Sequence, residues 1–102
     1  MKIIQTVTDK INEELEDACS YAKLAIEVKD QHRSLSEVFF ALSQEEMRHQ
    51  TMLHNEVVKL IEEYRREKGT PPENMMAVYD YLHKKAIEKA ETVKRYQQIY
   101  QS

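Results

Sequence analysis

The strongest constraint on this chain is where its helix breakers lie: its only glycine, Gly69, and its only prolines, Pro71 and Pro72, all fall in one short stretch. Inside a helix, glycine costs about 1 kcal/mol relative to alanine and proline about 3 kcal/mol. Long, uninterrupted helices are therefore permitted on both sides of that stretch. The 102 residues contain no tryptophan and are 32% charged and 41% hydrophobic, which leaves little material for strands and turns. The expected fold is all-α, a single helical domain over residues 1–102.

Apolar spacing divides the chain into three segments. From about residue 5 to about 29, Val7, Ile11, Leu15, Ala18, Ala22, Ala25 and Ile26 recur at steps of three and four, as an amphipathic helix requires. The small residues Ala18, Ala22 and Ala25 would let another helix approach closely. Residues 30–34 break the pattern, and Ser34-Leu-Ser-Glu37 has the form of a capping box that opens a second helix. Its expected inner stripe is Val38, Leu42, Glu46, His49, Leu53, Val57, Leu60 and Tyr64, widened by Ala41, Met52 and Ile61, and it runs to about Lys68. Gly69 then offers a left-handed C′ residue, and Thr70-Pro-Pro-Glu73 reads as a second capping box with proline at N1. A third helix is expected from about 71 to 100, with Met75, Met76, Tyr79, Leu82, His83, Ala86, Ala90, Val93, Tyr96 and Tyr100 at helical spacing. The short interruptions imply antiparallel hairpins.

Several function classes receive no support. The net charge of −3 mixes both signs, giving no basic patch for nucleic acid and no cationic face for anionic lipid. No stretch approaches the roughly 20 apolar residues of a membrane span, and the start lacks the apolar run of a secretory signal. Cys19 stands alone, so a disulfide framework is not expected and a reducing, cytoplasmic setting fits best. No glycine-rich phosphate loop or nucleophile triad is legible. Three long helices in so short a chain struggle to cover all their apolar faces as a monomer, so a homodimer or higher homo-oligomer is expected.

One constellation carries chemistry. Glu46 and His49 lie three residues apart on the expected inner face of the second helix, so both side chains can reach one ion. Burying a carboxylate and an imidazole is costly unless they are paired, and a metal suits both. Glu14 falls inside the stripe of the first helix, between Ile11 and Ala18, and adds a second carboxylate. In carboxylate-bridged helical bundles each Glu-x-x-His is complemented by a glutamate from a neighbouring helix. The competing reading is a chance pair in a glutamate-rich helix. Among lesser candidates, His83 is a possible extra ligand but reads more simply as a structural histidine. Glu45, Glu13 and Glu56 flank the stripe as possible outer carboxylates or as solvated charges, and His32 and His54 are expected in solvent. The tyrosines and methionines read as packing residues.

Glu14-Leu-Glu-Asp-Ala-Cys-Ser-Tyr21-Ala followed by Ser34-Leu-Ser-Glu-Val-Phe-Phe-Ala-Leu-Ser-Gln-Glu-Glu46-Met-Arg-His49 resembles the first helical hairpin of the rubrerythrin branch of the ferritin-like superfamily. The likeness covers about residues 11 to 64 and extends to short ferritin-like proteins of the encapsulated-ferritin type. It implies that Glu14, Glu46 and His49 are metal ligands, with Tyr21 near the site. The departure matters equally, because the third segment has no Glu-x-x-His and, with Cys19 the single cysteine, these 102 residues hold no cysteine-rich electron-transfer domain. The resemblance therefore implies a hairpin, about 5–68, that holds half a dinuclear site, plus an additional C-terminal helix. Two protomers would supply two copies each of Glu14, Glu46 and His49, their hairpins completing a four-helix core by dimerisation.

Oxygen-rich ligation with one imidazole per metal suits iron best, with manganese or zinc possible. The resemblance implies iron oxidation or peroxide reduction, an oxidoreductase activity. The alternatives are a non-enzymatic helical interaction module and a metal site that only stabilises the dimer.

Overall fold

The computed structural model describes residues 2–102, which form three helices: α1 Lys2–Val28, α2 Arg33–Lys68 and α3 Glu73–Gln101. Two four-residue connections, 29–32 and 69–72, join them, so α2 runs antiparallel to both α1 and α3. Both ends show this arrangement. Lys29 donates to the Tyr100 carbonyl oxygen and lies over its ring at one end, while Lys2 and Ile4 share a cavity with Asn74 and Met75 at the other. The all-α expectation and the helix order hold; the helix starts do not.

The expected capping boxes are not used. His32, not Ser34, is the N-cap residue of α2, with no side-chain cap; its carbonyl accepts from the Ser36 amide at 2.9 Å. Ser36 instead turns inward, its hydroxyl donating to the Arg33 carbonyl at 2.7 Å and meeting the Tyr100 hydroxyl at 3.1 Å. A serine recruited for packing is lost to capping. Both prolines lie outside α3, which begins at Glu73 with Pro72 as its N-cap residue. Gly69 does take positive φ, +81°, but its ψ of −153° lies in the extended glycine-only region and not in the left-handed helical well. Its amide donates to the Arg65 carbonyl at 3.0 Å, closing the end of α2.

The core follows α1. Ile4, Thr8, Ile11, Leu15, Ala18, Cys19, Ala22 and Ala25 are all buried, so one helix supplies most of the interior. Against it α2 places Val57 and Ile61, and α3 places Ala86 and Val93. The alanines allow the expected close approach, and Ser43 seals it by donating to the Ala18 carbonyl at 2.7 Å. Buried Thr8 satisfies its hydroxyl on the Ile4 carbonyl one turn back.

The inner stripe expected for α2 holds at Val57 and Ile61 and is otherwise displaced. Residues at 36, 43 and 57 face the core, whereas Val38 is 51% exposed and Met52 61%, and Ala41 is also exposed. The helix has two apolar arcs, and α1 with α3 occupies the one carrying Ser36, Ser43 and Val57. The other arc, with Leu42, Glu46, His49 and Leu53, is only half covered. It lies on the side of the α1–α2 seam away from α3. No helix among the described residues is long and apolar enough to cross a membrane.

Candidate metal centre

Helical geometry brings the three expected ligands together. Glu14 stands one turn from Ile11 and Ala18 on α1, whose burial fixes the rotation of the helix and leaves Glu14 at its edge. On α2, Glu46 and His49 are one turn apart and directly across the seam from it. His49 Nδ1 lies 3.7 Å from Glu14 Oε2 and 3.7 Å from Glu46 Oε2. One donor atom from each of the three residues falls within 4.8 Å of the others, an arrangement able to hold a metal ion.

Burial makes the arrangement informative. The Glu46 side chain is 18% exposed and that of Glu14 21%, while His49 is 44% exposed. Oε2 of Glu46 is buried and accepts no hydrogen bond. A buried carboxylate oxygen without a partner carries the full desolvation cost of the group, and at 3.7 Å the imidazole nitrogen is beyond hydrogen-bond length. An ion of about 2 Å bond length between these atoms would satisfy the oxygen and use the imidazole as a neutral donor. The donor set is therefore one that could hold a divalent cation.

The remaining candidates separate. Tyr21 stacks on Phe39 with ring centroids 6.2 Å apart, half-buried along the same seam but outside the ligand group. Glu45 is exposed, as is His32. Glu13 and Glu56 form exposed ion pairs with Lys10 and Lys59, as solvated charges do. His83 does not join Glu14, Glu46 and His49; it is stacked between His54, at 5.2 Å, and Tyr79, at 5.5 Å. His54, expected in solvent, is half-buried by this contact. Position 54 lies off the stripe that was read as inward, but on the arc that α3 covers, so the displaced stripe explains the miss.

Compared with protein-family models, with curated proteins and with solved structures, the chain finds no match.

Proposed function

We propose that this chain is a metal-binding protein in which Glu14, Glu46 and His49 form half of a dinuclear centre completed by a second copy. The observation that carries this reading is the buried, unpartnered Oε2 of Glu46 beside a second carboxylate and an imidazole. The resemblance of the α1–α2 hairpin to rubrerythrin-type ferritin-like proteins supports iron as the metal. When bound there, ferrous iron would supply electrons for reduction of O2 or peroxide. The chain's own part is to hold the metals on two rigid helices, with Glu14 and Glu46 balancing their charge and His49 donating from the more open side.

Surface area supports the second copy. The chain exposes 6938 Å², roughly 900 Å² more than the ~6,000 Å² expected for a compact monomer of this mass. That excess is close to the ~800 Å² per partner of a stable interface. The half-covered arc around the ligands supplies the apolar part, with Leu35 44% and Val38 51% exposed on α2 and Ile3 50% exposed on α1. At heptad spacing from Glu14, Val7 and Tyr21 continue the same face.

The test combines mass and chemistry. Protein loaded anaerobically with Fe(II) is expected to bind about one metal per chain, to sediment as a dimer and to oxidise the iron when air is admitted. His49→Ala is expected to lose binding and oxidation together, and Leu42→Lys to give a folded monomer with weakened binding. Iron oxidation undiminished in His49→Ala sinks the assignment. Stoichiometric metal without turnover identifies a site that only staples the dimer.

A further inference from the structure

On the opposite side of the seam, the N-terminal half of α3 is held over loosely filled space. A cavity of about 170 Å³ lies between the helices, lined by Ile11, Val57 and Ala86 among others, and a second of about 330 Å³ separates the start of α1 from the start of α3. Thr8 and Tyr79 border both. Contacts between α2 and α3 are sparse and fall at three levels. Near the C-terminal end of α3, Tyr100 stacks on Phe40 at 4.7 Å, and Gln97 donates to the Ser43 hydroxyl at 3.0 Å. Toward its N-terminal end, the direct ring contact is His83 on His54, with planes 14° apart. Between these levels the apolar contact is made by Ala86, in the cluster with Val57 and Ile61 that half-buried Leu53, Leu60, Tyr79 and Ala90 join.

This stack does not suit two protonated imidazoles. Two facing imidazolium rings repel, and no carboxylate lines the cavity to offset them. From α1 the lining contributes Thr8 and Ile11, from α2 Gln50, Thr51 and Val57, and from α3 Tyr79 as the one other titratable group. Asp80, beside Tyr79, acts on the phenol, whose pKa burial and that carboxylate both raise, so Tyr79 stays neutral. Burial, and secondarily His83, pushes the pKa of His54 below the ordinary imidazole value.

We infer that the His54–His83 stack is a proton-sensitive latch: protonating the pair releases the N-terminal half of α3 from α2 and widens the cavity of about 170 Å³ that the stack borders, while the Phe40, Ser36 and Ser43 contacts keep the C-terminal half docked. The device is independent of the metal centre, which lies on the other side of the seam. Release uncovers Val57 of α2, which lines that cavity.

Amide hydrogen exchange on the metal-free protein, corrected for intrinsic chemistry, tests the latch at about pH 7.5 and about pH 5, on either side of the ordinary imidazole value. Protection over residues 74–90 is expected to fall at least tenfold at the lower pH, with residues 91–101 unchanged. His83→Phe keeps a stacked ring without the charge and is expected to remove the pH dependence; His54→Phe is a second, independent variant expected to do the same. Equal protection of 74–90 at both pH values in the wild type overturns the inference, as does an undiminished fall in both phenylalanine variants.

Discussion

A carboxylate oxygen that is buried and unpaired, as at Glu46, destabilises the protein that contains it until a cation arrives. Glu46→Gln removes the charge and keeps the shape. The apoprotein variant is expected to melt no lower than wild type. Wild type at a metal concentration about 100 times the dissociation constant gains about 2.7 kcal/mol, and the variant is expected to lose most of that gain. Thermal melts with and without Mn(II) or Zn(II) read both effects, and an unchanged metal-induced shift in the variant contradicts the ligand role. Ser43 makes a different prediction, because its hydroxyl is wholly buried and links three helices, donating to Ala18 and accepting from Gln97. Ser43→Ala removes both bonds, while the Ala18 carbonyl keeps its helical amide, and is expected to cost about 0.5–1.5 kcal/mol. For a domain of this size each kcal/mol lowers Tm by roughly 4–8 °C, so calorimetry resolves it.

At the level of elements, Gly69 separates conformation from contact. A Cβ placed there meets nothing within 4 Å, yet the backbone occupies a region that essentially only glycine visits. Gly69→Ala is therefore expected to destabilise by about 1–3 kcal/mol through backbone strain alone, seen as a lower urea midpoint. Ala22, fully buried on the face of α1 that the other helices approach, is the opposite case: Ala22→Leu is expected to cost about 1–3 kcal/mol or more by overpacking. The three helices and their antiparallel order were legible because Gly69, Pro71 and Pro72 leave so few places to turn. The ligand triad was legible because its residues keep helical spacing with Ile11 and Leu53. The face of α2 that packs against α3 was not, since it uses Ser36, Ser43 and His54, and polar residues give no hydrophobic signal. Ser34 read as a cap, but α2 starts two residues earlier, at an N-cap His32 that has no side-chain cap.

The whole molecule is a rod of 55 × 19 × 18 Å with a radius of gyration of 16.4 Å, against about 13 Å for a compact domain of this length. Such a shape gives α1 two neighbours and leaves a flank of the α1–α2 hairpin for a third, which is where the candidate ligands lie. Stability of the metal-free rod is expected to depend on pH through His54. Its pKa is lowered by folding, so the unfolded chain binds the proton more readily and the contribution runs in one direction. It is complete above the ordinary value of about 6.5 and is lost as pH falls through the lower folded value. Urea midpoints measured from neutral to mildly acid pH check the sign, and a midpoint that rises on acidification contradicts it. The parallel run of α1 and α3 has a mechanical consequence. A force applied between the start of α1 and the end of α3 acts at opposite ends of the 55 Å rod and along the helix axes. The interdigitated side chains of α1 must then slide past their neighbours together and cannot peel apart one turn at a time. The molecule is expected to resist stretching between those points more strongly than pulling apart the start of α1 and the end of α2, which lie together at the end where the two helices are not joined.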